Sequence, residues 1–132
     1  MPVRKRDFTP LERAALDAIL SEQISDRVLL AEQLRRAFVI SRKNTGGGFY
    51  SDLMTESETV LADSVTGGFG HDVWISIDGL ELGLGMILHL KDGRVSHLEG
   101  YAVGPEDTSS IDFESVSFAI AEKPGAFSAK RG

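Results

Sequence analysis

Asp92 and Gly93, set between two apolar runs in LGLGMILHLKDGRVSHLEGYAV (82–103), constrain this chain more than any other pair of residues. Asp-Gly supplies the two positive-φ positions of a type I′ turn, whose twist matches that of the strands it joins, so a tight β-hairpin is expected here. Counting outward from the turn pairs Lys91 with Arg94, Leu90 with Val95, His89 with Ser96, Leu88 with His97, Ile87 with Leu98, Met86 with Glu99 and Leu84 with Tyr101. Because side chains alternate along a strand, this register predicts one face carrying Leu84, Met86, Leu88 and Leu90 beside Val95, His97, Glu99 and Tyr101. The other face then holds Gly85, Ile87, Leu98, Gly100 and Ala102, with Gly85 opposite Gly100, and His89 and His97 point to opposite sides.

The segments around the hairpin read as helices first and strands afterwards. Thr9-Pro10-Leu11-Glu12 is a capping box with proline at the first helical position, and Leu11, Ala14, Ala15, Ala18 and Ile19 follow at helical spacing as far as about Glu22. A second helix is expected from Ser25, with Asp26 near the positive end of its dipole and Ile24 placed to staple onto Leu29. Val28, Ala31, Leu34 and Phe38 continue its apolar stripe. AFVIS (37–41) and GFYSDLMT (48–55) read as two antiparallel strands joined across Asn44–Gly48, with Phe49, Ser51 and Leu53 opposite Tyr50, Asp52 and Met54. Residues 56–71 are polar and then glycine-rich, a long connection with at most a short strand around Val60. DVWISI (72–77) sets Val73, Ile75 and Ile77 on one face before a turn at Asp78-Gly79, and SVSFAIA (115–121) gives a last strand with Val116, Phe118 and Ile120 together.

This order predicts a single α+β domain spanning 1–132: two N-terminal helices packed on one face of a mainly antiparallel five- to six-stranded sheet. The length suits one core, and 42% hydrophobic with 26% charged residues excludes wholesale disorder. There is no cysteine, which removes disulfides, thiolate metal sites and cysteine nucleophiles together. MPVRKRDF lacks the apolar segment of a signal peptide, and no apolar run approaches a membrane-spanning length, so a cytoplasmic protein is expected. A net charge of −6 repels a phosphate backbone and argues against nucleic acid, while leaving room for a basic protein partner.

Candidate chemistry is sparse. Gly46, Gly47 and Gly48 lack the lysine of a phosphate-binding loop and lead into a strand rather than a helix, so they read as a bend; Arg42 and Lys43 are the argument for an anion site. His97, Glu99 and Tyr101, spaced by two on one strand, are the candidate catalytic residues, a base with an orienting carboxylate and a hydrogen-bond donor, with Asp52 as a fourth member. The bland reading of that group is a mixed polar face. No metal or cofactor is expected, since His89 and His97 are predicted apart and His71 with Asp72 is too little for a coordination sphere. No G-x-S-x-G elbow occurs. Trp74, opposite Val73, Ile75 and Ile77, reads as core under the helices, with an interface anchor as the alternative.

Two helices, the TGGGFYSDL hairpin, the glycine-spaced LGLGMILHL strand and the HLEGYAVG strand together resemble small bacterial single-domain proteins of uncharacterised function. In size and acidity the chain is also similar to immunity proteins, which bind partners. Neither resemblance implies a catalytic residue. The expected function is therefore a noncatalytic protein that binds a protein partner or forms a homodimer, and the alternative is a small-molecule-binding domain or small enzyme using the polar strand face around His97 and Glu99.

Overall fold

The computed structural model describes residues 6–21, 27–55, 67–69 and 73–123. Two helices, α1 (Pro10–Ser21) and α2 (Arg27–Arg36), precede strands β1 (Phe38–Asn44), β2 (Gly48–Met54), β3 (Gly67–Phe69), β4 (Trp74–Ile77), β5 (Leu84–Lys91), β6 (Arg94–Ala102) and β7 (Phe118–Ala121). The sheet is antiparallel in the order β1-β2-β6-β5-β4-β7, and the short β3 shares one side of β5 with β4. This is the α+β architecture expected from helices followed by strands. The sequence placed no strand at Gly67–Phe69; the expected one around Val60 and the second helix's start at Ile24–Asp26 lie outside the described residues, as do His71 and Asp72.

α1 begins as its capping box dictates. Thr9 Oγ1 accepts from Glu12 N at 3.1 Å and Glu12 Oε1 accepts from Thr9 N at 2.8 Å, satisfying two amides that the helix leaves without partners. Its buried stripe is Leu11, Glu12, Ala15, Leu16 and Ile19. The stripe of α2 is rotated from the expected one: Leu30, Gln33 and Leu34 are buried, whereas Val28 is 81% exposed. The reason is a polar anchor. Gln33 donates to Gly93 O at 2.8 Å and accepts from Val95 N at 3.0 Å, so it must face the hairpin, and it turns Val28 outward.

The hairpin turn forms at Asp92 and Gly93, with φ of 53° and 78°. The strands leave it in register, Lys91 with Arg94 and Leu90 with Val95. Ser96 is then skipped, so that His89 faces His97, Leu88 faces Leu98, Ile87 faces Glu99 and Gly85 faces Tyr101. This β-bulge reverses the expected faces beyond the turn. Leu98 lies with Leu84, Met86 and Leu88 in the core under the helices, and His97, Glu99 and Tyr101 lie with Ile87 and His89 on the side that no helix among the described residues covers, the helix-free side. Without the bulge those three polar side chains would sit beneath apolar helices, at a cost of a few kcal/mol for each group left unbonded. Gly85 and Gly100 are not opposite each other. A Cβ on Gly85 would lie 2.2 Å from Tyr101 Cζ, and one on Gly100 would lie 2.5 Å from the Phe49 ring, so each glycine gives an aromatic ring room.

A second bulge, at Ile40 in β1, puts Val39 and Arg42 on the core side together. The outer edge of β1 is closed by Arg6, which exchanges two 2.9 Å backbone bonds with Val39. At the other edge, β7 is shorter than expected: Val116 packs on the core from outside the strand, and Ile120 is 48% exposed.

The three glycines bend the chain, as the missing helix implied. Gly48 has φ of 133° and touches β6 closely, while Gly46 O accepts from Thr108 N and Gly47 O from Ala102 N, both at 2.8 Å. The buried Thr108 hydroxyl accepts from Gly48 N and donates to Asn44 Oδ1, each at 3.0 Å. The loop thus docks the 104–116 connection onto the sheet, and its amides are engaged by protein groups.

Candidate functional site

The helix-free face collects the ionisable side chains. Along one cross-strand row lie Ser41, Asp52, His97 and His89, and along the next Lys43, Tyr50, Glu99 and Ile87. His89 Nε2 is 2.9 Å from Glu99 Oε1, and its ring stacks on that of His97 at 4.2 Å with 21° between the planes. Tyr50 leans on the other side of His97 at 5.1 Å, so three rings run continuously across β2, β6 and β5. Ser41 donates to Asp52 Oδ2 at 2.7 Å, fixing that carboxylate next to the rings. All three rings and Glu99 are half-buried.

Of the expected residues, His97, Glu99 and Asp52 do meet, since Asp52 pairs directly with His97. Tyr101 stands apart, two residues along β6, with its ring over Gly85 and edge-on to Trp74 at 6.4 Å. Trp74 is correspondingly half-buried on the helix-free face and not core under the helices, because its partner on β5 is Gly85 rather than an inward-facing leucine. His89 and Tyr50 were not among the candidates. His89 was assigned to the opposite side, and only the bulge brings it to His97; Tyr50 carried a signal, its alternation with Asp52.

The expectation that His89 and His97 point apart is overturned, and with it the reason given against a shared metal ion. Among the described residues, no group of three or more His, Asp or Glu could hold an ion.

Burial first, and then the neighbouring His89, hold His97 below the ordinary imidazole value of 6.5, against the opposing pull of Asp52 and Glu99. The unfolded chain therefore takes up this proton first as pH falls. The stability tied to neutral His97 is complete above 6.5 and is lost as pH falls through the lowered folded value. His89→Gln is expected to move the His97 titration upward, towards 6.5, in an NMR titration of the imidazole C–H signals; an unchanged or lower midpoint would contradict the role given to the stacked ring. Tyr50 is held protonated above its ordinary value by burial and by Glu99 and Asp52.

The arrangement has proton-handling groups, and the Ser96 hydroxyl lies 3.4 Å from His97 Nδ1, a long hydrogen-bond contact. Comparison with family models, curated proteins and solved structures returns no match.

On the helix-covered side lies a second polar cluster that the sequence did not mark. The Ile40 bulge turns Arg42 inward, where its Nε and Nη2 donate to the two Glu12 carboxylate oxygens at 2.9 Å each, and Nη2 also donates to Asp7 O at 2.6 Å. The Ser51 hydroxyl donates to Glu12 Oε2. Arg42, the argument for an anion site, thus has its charge balanced by a buried carboxylate. No helix among the described residues is long and apolar enough to cross a membrane.

Proposed function

We propose that this is a noncatalytic binding protein that recognises a basic protein partner through the helix-free face of its sheet. The observation that carries this reading is the run of half-buried rings, Tyr50, His97 and His89, flanked by the carboxylates of Asp52 and Glu99. Ring faces and carboxylates are the two groups that hold a lysine or arginine side chain, and they reinforce each other where water is partly excluded. Trp74 and Tyr101 extend the face with further aromatic area of the kind that anchors interfaces. A chain of net charge −6 also steers a basic partner toward it.

A pull-down from cell extract followed by sizing tests this. The tagged protein should retain a stoichiometric partner of basic surface, released by raised salt and lost with Asp52→Asn combined with Glu99→Gln. A strict monomer that captures nothing, or capture indifferent to salt and to both substitutions, would count against it. Self-association through the same face is the related outcome, read as a dimer that those substitutions dissociate.

The rival reading is a small-molecule site or small enzyme on this face. It is favoured by one observation, the 2.9 Å His89–Glu99 pair beside a histidine held neutral near pH 7. That arrangement suits proton transfer rather than covalent catalysis. Saturable binding of a small metabolite that His97→Asn abolishes, without any protein partner, would favour it over partner binding.

A further inference from the structure

The helix-covered side of the sheet is not filled as far as its β1 edge. α1 covers one part and the 104–116 connection another, and between them remains a cavity of about 170 Å³. Leu11, Phe49, Ile111 and Phe113 form its apolar walls, and Glu12, Arg42 and Ser51 line it on the polar side. The walls are held in place. Phe49 and Phe113 touch with ring centroids 5.0 Å apart, and Asn44 Nδ2 donates to Thr108 O at 2.8 Å and to Ile111 O at 3.1 Å, tying the connection to β1. A preformed, largely apolar space with a few polar groups is the usual form of a small-ligand site. An apolar void of about 150 Å³ in another protein admits benzene.

The polar side narrows the ligand class. Arg42 commits Nε and Nη2 to Glu12 and Asp7, while Nη1 is ion-paired with Glu114 Oε1 at 3.7 Å, a separation longer than a hydrogen bond. Arg42 lines the cavity, and Nη1 is the one of its guanidinium nitrogens without a hydrogen bond among the described residues. Glu12 already balances the charge of Arg42, and of the other charged groups lining the cavity Asp112 and Glu114 outweigh Lys43, so an anionic acceptor is disfavoured. We propose that this cavity binds a neutral, ring-sized organic molecule whose carbonyl oxygen accepts a hydrogen bond from Arg42 Nη1. The site lies on the opposite side of the sheet from the ring platform, so it stands or falls independently of partner binding.

Titrating benzamide into the ¹⁵N-labelled 132-residue chain tests the proposal. Saturable amide shifts should centre on Leu11, Glu12, Phe49–Ser51 and Ile111–Glu114. Toluene, which has the ring but no acceptor, should bind roughly five- to tenfold more weakly, the worth of one neutral hydrogen bond, and benzoate should also bind more weakly than benzamide. Ile111→Trp, which fills the cavity from the connection, should weaken benzamide binding at least about tenfold while amide dispersion shows the fold intact; Phe113→Trp serves where that variant does not fold. Shifts that never saturate, shifts centred elsewhere, equal affinity for toluene or benzoate, or full binding by the filled variant would overturn it.

Discussion

Gly48→Ala is expected to destabilise the protein by more than about 3 kcal/mol, read as a lowered urea midpoint with the slope unchanged. Two costs coincide at this position. Its φ of 133° lies where an L-residue is strained, and an added Cβ would stand 1.9 Å from the carbonyl oxygen of Gly100, a backbone atom that cannot rotate aside. Relief would require separating β2 from β6, the pair that joins β1 and β2 to the rest of the sheet, and would pull Gly48 N from the Thr108 hydroxyl. Gly47→Ala is the control. Nothing lies within 4 Å of a Cβ there and its φ is not positive, so its effect should stay within about 0.5 kcal/mol. Equal stability of the two variants would refute the close approach as the reason for glycine at 48.

Arg42→Met is expected to cost about 3–5 kcal/mol at neutral pH, because it leaves the Glu12 carboxylate buried without its counter-charge. Glu12 has a side chain only 3% exposed and Arg42 one of 18%, so water cannot replace the lost guanidinium. The pH dependence identifies the cause. In the intact protein burial alone would raise the Glu12 carboxyl, but the bonds from Arg42, Ser51 and Thr9 together with the charge of Arg42 outweigh it and hold the group below 4.5. Stability from ionised Glu12 is therefore present above pH 4.5 and is lost as pH falls through the lowered folded value. Without Arg42, its bonds and its charge no longer oppose burial, so the folded carboxyl moves up from its lowered value and the variant loses less stability than the intact protein as pH falls and Glu12 takes up a proton. The gap between the two proteins in urea unfolding should narrow steadily from pH 7 to pH 4. Adding Glu12→Gln to Arg42→Met should recover part of the loss at pH 7, and a gap that widens in acid would exclude this account.

Much of the fold was legible because local chemistry and tertiary demand agree. The capping box starts α1, Asp92-Gly93 turns the hairpin, and the alternation of Phe49, Ser51 and Leu53 selects the core side of β2. The faces of β6 were not read correctly, although one clue was present. Val95 and Leu98 are three residues apart, so burying both beneath the helices requires an extra residue between them, and strict alternation from the turn cannot do it. The same spacing separates Val39 from Arg42, and the bulge at Ile40 resolves it likewise.

What the sequence by itself determined is therefore the set of elements, their order and the turns between them, since these rest on contacts within a few residues of the chain. Which side chains share a face was decided only in the assembled molecule. Gln33, 60 residues from Gly93, ties α2 to the turn and to Val95, while the helices cover Leu88 and Leu98, so Ser96 is left out of the ladder. That one skipped residue brings His97 to His89, and the skipped Ile40 brings Arg42 to Glu12. Both clusters depend on packing between distant segments, whose energy no local pattern in the chain expresses.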